Sequence, residues 1–556
     1  MNNFTFETTQ VKQMLSKSIL ALALLSSSIT FAQQVESPLK SMKGEEIISK
    51  RDLFANHYLN ENGTFSAAIG TSPINYRKDG SFHPINTSIK NSNNTNYPYA
   101  NTENLMESHF GATSAHGIQN KIEGKTVSEF LNTKMHWEVN GQLTATVDQS
   151  NSTIVVNNNK ASYNNIFGEI DAEFKITNGK RKLNFIIPSQ NAIANAPVGA
   201  DYLVFSEEIL LPETWKHIST EKGIYIFDEK NNAVLLYESP YSVDGGKRKL
   251  REKNTFIDVF ASGNRLTILT KVKTSWLLSQ ARTFPILVDP TVTTYPDEVE
   301  MHTGCVYSSD GYKVDSFISF GRDEDFLGQE DFLRGWARFN TTSIPDDATI
   351  DAGTTIHFYI EDGSPDYSPA NGHSMVISQI PSTINPVTAN GTTLYNTINQ
   401  NGYSPVITAP LNTIGWKNHT ITANQIAIDI QNQLAQNYFS VGFMPQGDFF
   451  EGEYLIASGW DTDEKPYLVI NYTESTMSVG DASKGIGLYP NPVQSELFVK
   501  SDYNVESIEV ISMLGQSVAK SNGTNSIVVS SLANGIYAVQ ITLDNGSVVN
   551  QKFVKN

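Results

Sequence analysis

Cysteine is almost missing from this chain: Cys305 is the only one in 556 residues, so no intrachain disulfide staples the fold. A lone thiol also lacks a partner for a thiolate metal site or a redox pair. Positive charge is scarce. Lys and Arg number 40 against 58 Asp and Glu, a formal charge of -18, which argues against nucleic acid or an anionic membrane surface as partner. Catalytic signatures are missing as well. The ten histidines, from His57 to His419, form no His-Glu-x-x-His pair, and no Gly-x-Ser-x-Gly elbow or phosphate-cradling glycine loop occurs. Long helical periodicity is nearly absent. What is present is 39 % hydrophobic and 10 % aromatic residues, enough for packed cores rather than disorder.

A membrane span needs about 20 apolar residues, and the apolar run 19–25 is too short. Lys12 and Lys17 precede it, and Thr30-Phe31-Ala32 ends it before Gln33. A basic start, a short apolar stretch and a small-residue cleavage site make residues 1–32 a secretory signal peptide. Acidic Glu7 and the long leader fit less well, which makes Met14 a candidate start of translation.

Between residues 45 and 290, short apolar stretches alternate with Asn, Ser, Thr and Gly. Asn178-Gly179 between 174–176 and 183–187 is a hairpin signal, and Asn231-Asn232 and Ser262-Gly263-Asn264 divide their neighbours in the same way. This predicts an N-terminal antiparallel β region over 45–290. Helix is expected locally, over 423–436, which carries Ile426, Ile428, Ile430 and Leu434.

At the C-terminal end, Pro490 and Pro492 forbid helix. Apolar alternation over 507–511 and 537–541 predicts half-buried strands, with turn chemistry at Asn522-Gly523 and Asp544-Asn545-Gly546. The ordered set Tyr489-Pro490-Asn491-Pro492, Leu514-Gly515, Gly535-Ile536-Tyr537 and Lys552-Phe553-Val554-Lys555 resembles the type A C-terminal sorting domain of Bacteroidetes proteins exported by the type IX secretion system. The resemblance implies a small Ig-like sandwich over 485–556, the secretion machinery as partner, and a secreted or outer-surface location.

Two further resemblances organise the body. Phe284-Pro285-Ile286-Leu287-Val288-Asp289-Pro290-Thr291 looks like the strand and turn that close an N-terminal β region in large bacterial surface proteins, and Asn75-Tyr76-Arg77-Lys78-Asp79-Gly80 looks like its opening. Arg334-Gly335-Trp336-Ala337-Arg338-Phe339-Asn340, with Ile344-Pro345 and 354–360, is similar to the core of the DNRLRE domain. Lys465-Pro466-Tyr467-Leu468-Val469-Ile470-Asn471-Tyr472 matches its closing strand, while Asn340 and Thr354-Thr355 depart from its pattern. This resemblance implies a jelly-roll-like sandwich over 295–475, related to carbohydrate-binding modules, with Trp336, Phe339, Ile344, Ile350, Ile356 and Leu468 in its core. The expected fold is therefore all-β and multidomain, a jelly-roll-like β-sandwich plus a small C-terminal Ig-like β-sandwich, with a linker over 476–484.

Candidate chemistry is thin. Asp323, Asp325 and Glu330, with Asp461 and Asp463, offer the hard oxygens that calcium favours, on what read as loops of one domain. Solvated loop charge is the plainer reading of the same acids. Tyr367, Tyr403, Trp416, Phe449, Phe450 and Trp460 lie near turn residues, where rings could stack on sugars. Trp336 and Tyr467 read as core. No catalytic residue is assigned. The reading is a secreted adhesion or glycan-binding protein rather than an enzyme. The alternatives are a polysaccharide-degrading enzyme with its site in 45–290 and a structural surface component. A buried Glu with an Asp, His or Tyr lining a deep N-terminal cleft would favour the enzyme. An open sandwich face carrying two or three aromatics would favour binding.

Overall fold

The computed structural model describes residues 38–556 apart from 123, 246–253, 295–301, 315, 325–329, 364–373, 400–401, 408–410, 412, 447–453, 475–485, 502, 513–515 and 545–547. The expected signal peptide and linker lie outside the described residues, as do Tyr367, Phe449 and Phe450. The protein is all-β, a set of antiparallel sheets with a few short helices. Its chain forms two compact units, one over 1–346 and 350–472, the other over 347–349 and 473–556.

In the first unit, sheets of 9 and 10 strands face each other. Their pairing follows from period-two burial: Ile170–Thr177 and Lys180–Ile187 alternate buried and half-buried residues along their length. Between them Asn178-Gly179 makes the expected hairpin, with Gly179 at φ 70, a conformation open to glycine. Phe130 and Phe205 on one sheet meet Phe174 and Phe185 on the other, with ring centroids 5.1 Å apart for Phe130–Phe174 and 4.1 Å for Phe185–Phe205. The hairpins expected around Asn231-Asn232 and Ser262-Gly263 are also present.

The third sheet has 15 strands and carries the closing segment Tyr467–Thr473. Trp336, Phe339, Ile356 and Leu468 are fully buried, and Ile344 and Ile350 nearly so. The helix Asn424–Gln433 continues as a short 3-10 turn to Gln436, where the apolar spacing places it. One assignment differs from the sequence-based division. The hairpin Ala55–Leu59 and Phe65–Gly70 joins this sheet, with Phe65–Gly70 paired along Tyr467–Tyr472. Strands from the start of the chain therefore complete a sheet built mainly by 303–473, which local pattern cannot reveal.

The second unit is a small sandwich of 3- and 4-stranded sheets. Leu497, Ile508, Val539, Ile541 and Phe553 fill its core. Both Tyr489-Pro490 and Asn491-Pro492 are cis. Asn491 Oδ1 accepts the Val554 N–H at 2.9 Å, and Val493 pairs in parallel with Lys555. The opening turn and the last strand thus lie side by side.

Candidate functional site

The strand Thr354–Gly363 turns Ile356, Phe358 and Ile360 into the core, each fully buried. The alternate residues Thr355, His357 and Tyr359 take the outer face by strand periodicity. Register with Gly415–Ile421 sets Thr420, Asn418 and Trp416 directly opposite them. Tyr359 and Trp416 are half-exposed and meet edge to face at 5.6 Å. Tyr467 stands behind Trp416, 6.2 Å between centroids, and is itself buried. Thr355 and Thr420 share a hydroxyl hydrogen bond of 2.9 Å, and Asn418 and Thr420 are exposed. Burial raises the Tyr359 pKa, and the charges of Glu464 and Glu361 add to it, so carboxylates border this aromatic pair. Burial lowers His357 to about 4, which keeps it neutral near pH 7. The outcome is a sheet face with two accessible rings, hydroxyls, an amide and acidic neighbours. Trp416 was singled out from sequence. Tyr359 and His357 were not, although their alternation with Ile356, Phe358 and Ile360 carried the signal.

The other sequence candidates have different surroundings. Trp460 is 3 % exposed, with the Lys180 ammonium 3.6 Å from its ring centroid, and Tyr403 is buried with its hydroxyl on Asp429 at 2.7 Å. Asp461 accepts Lys182 Nζ at 2.8 Å. Burial opposes its ionisation, yet Lys182 and Lys180 hold its carboxyl below the ordinary range. Asp463 accepts Asn159 Nδ2 at 3.1 Å, and burial raises its pKa. Asp323 and Glu330 stand on paired strands rather than in loops, with Asp323 opposite Asp331 and Glu324 opposite Glu330. Asp325 lies outside the described residues. Among the described residues, no group of three or more His, Cys, Asp or Glu side chains is arranged to hold a metal.

A second polar constellation occupies the interior of the first unit. Arg181 bonds Glu129 and donates to Asn120 Oδ1 at 2.9 Å, and the Tyr237 hydroxyl donates to Glu129 at 2.6 Å. The Phe130 N–H, on a residue at φ 57, donates to Glu207 at 3.2 Å. Burial, reinforced by the Glu129 charge, pushes Glu207 up to about 7. Neighbouring carboxylates, one of them with a raised pKa, resemble acid–base machinery. Their position speaks otherwise. Glu207 shares its strand face with Phe205 and Ile209, which belong to two apolar clusters, so the group is a charged belt between the sheets.

Comparison with known proteins addresses the tail first. Residues 487–556 match the family described as "Secretion system C-terminal sorting domain". The tail is a secretion sorting domain. As a type IX sorting tail it directs export, and the protein is secreted or attached to the outer cell surface. No helix among the described residues is long and apolar enough to cross a membrane. No curated protein matches the chain. A solved polysaccharide lyase is 7 % identical, with a TM-score of 0.11 over 84 % of this chain, which spans 46 % of the lyase. A structure described as the extracellular domain of a hybrid two component system from B. thetaiotaomicron is 9 % identical, with a TM-score of 0.13 over 92 % of this chain and 98 % of its own. Neither likeness is close enough to carry an argument.

Proposed function

We propose that the exported protein is a non-catalytic carbohydrate-binding or adhesion protein whose ligand rests on the Tyr359–Trp416 face. The observation that carries this reading is the half-exposed pair of rings, 5.6 Å apart, on the outer side of the 15-stranded sheet. Aromatic faces bind apolar sugar faces while nearby hydroxyls and amides orient the ring. The DNRLRE resemblance supports the same reading, since its core motifs fall on the strands Glu330–Asn340, Thr354–Gly363 and Tyr467–Thr473. A glycan array probed with the purified protein and with Trp416→Ala tests it. Binding by the wild type that is lost in a normally folded Trp416→Ala supports the assignment. Equal binding by the two removes the site.

The enzymatic alternative rests on the Glu129–Glu207 pair, of which Glu129 is buried and Glu207 half-buried. Release of reducing ends or unsaturated products from the array's polysaccharides, abolished by Glu207→Gln, would establish it. Calcium, as expected from sequence, would draw on Asp323, Asp325 or Glu330 with Asp461 or Asp463, of which Asp461 already bonds Lys182. A rise in melting temperature with millimolar calcium, absent in Asp325→Asn, is the corresponding test.

A further inference from the structure

The outer face continues past the aromatic pair. Asn471 lies two residues from Val469, which pairs with Thr355, so it shares that face at the opposite end. There Asn60 Nδ2 donates to Ser66 Oγ at 2.9 Å, Ser66 Oγ donates to Asn471 Oδ1 at 2.7 Å, and Asn471 Nδ2 donates to the Gly353 carbonyl at 3.3 Å. Asn60, Ser66 and Asn471 line an open groove of about 870 Å³ together with Asn62, Thr64 and Asp351. That volume is in the range of small-molecule sites. From Gly353 beside the groove to Tyr359, six residues of strand cover about 20 Å. The stretch between carries the polar row of half-buried Thr355 and exposed Thr420 and Asn418, with His357 buried beside them.

We infer that groove, polar row and ring pair form one elongated site for the interior of a neutral polysaccharide chain. This rests on the carbohydrate reading above. Length is the first argument: a single sugar ring can cover the Tyr359–Trp416 pair, whereas only a chain of several rings reaches the groove. Charge is the second. Glu361 and Glu464 border Tyr359, and Glu61 and Asp351 line the groove against one Lys43, so uronates and sulfated glycans are repelled. Donor and acceptor density is the third. Asn60, Ser66, Thr64 and Asn471 already exchange hydrogen bonds on a sheet scaffold, which fixes their directions before a ligand arrives.

The test uses the full exported chain and the di- to hexasaccharide series of whichever neutral glucan, mannan or xylan binds on the array. Affinity should rise about tenfold or more from disaccharide to hexasaccharide. Asn471→Ala, which removes a groove amide, should lower the ratio of hexasaccharide to disaccharide affinity, and Ser66→Ala should act in the same direction. Trp416→Ala should abolish both. Equal affinity for short and long chains, or an unchanged affinity ratio in normally folded Asn471→Ala and Ser66→Ala, overturns the elongated site alone. A preference for uronic acid chains overturns the charge argument. Failure of every glycan to bind removes the underlying carbohydrate reading instead.

Discussion

At the scale of single residues, the consequential groups are charges placed where water is scarce. Lys180, Arg181 and Lys182 are three consecutive basic residues, and all three side chains are largely enclosed. Strand alternation sends Arg181 to Glu129 and sends Lys180 and Lys182 to Glu238 and Asp461. Sequence gave no hint of this, because the partners lie far along the chain and a charge run carries no sign of its burial. Removing one partner of a buried pair typically costs about 3–5 kcal/mol, so Arg181→Met should destabilise by that order in chemical denaturation, and Glu129→Gln added to it should restore part. Glu207 gives a pH test. Its folded value, about 7, lies above the ordinary 4.5, so its protonated form favours the native state. That contribution is complete below pH 4.5 and is lost as pH rises through 7. Glu207→Gln should therefore gain up to about 3 kcal/mol at pH 8 and little at pH 4.5. Equal effects at both would place the carboxyl in water. His57 and His357, each lowered to about 4 by burial, act in the opposite sense. Their contribution is present above pH 6.5 and is lost as pH falls through 4, which His357→Gln should flatten.

Among the elements, local hairpins were legible because Asn-Gly and Asn-Asn turns and period-two alternation act within a few residues. The core of the 15-stranded sheet was legible through Trp336, Phe339 and Leu468. Phe339→Ala should cost about 3–5 kcal/mol, as large core truncations do, and a loss under about 1 kcal/mol would contradict its full burial. What pattern could not show is the pairing of Phe65–Gly70 with Tyr467–Tyr472, separated by some four hundred residues. Without that hairpin, Tyr467–Thr473 would lose its partner on one side, and an open hydrophobic edge invites aggregation. A fragment of 295–475 should therefore be insoluble or partly unfolded by circular dichroism, whereas 45–475 folds. A monomeric, cooperatively melting 295–475 would show that the hairpin is dispensable.

For the whole molecule, the tail was the most readable part, since its motif order survives without any knowledge of packing. The structure adds that Tyr489-Pro490-Asn491-Pro492 and the final strand are neighbours, joined by the Asn491–Val554 hydrogen bond. The proposed binding face was only partly readable: Trp416 stood out by its place near a turn, but Tyr359 and His357 needed the register with Gly415–Ile421 to share its surface. The central claim is that this surface, rather than the charged belt of the first unit, meets the ligand. Hydrogen–deuterium exchange of the full chain with and without a binding neutral oligosaccharide tests it most directly. Slowed exchange should be confined to 60–66, 353–360, 415–421 and 467–472. Protection centred on 125–139 and 202–210, around Glu129 and Glu207, would contradict the account and move the function to the interior of the first unit.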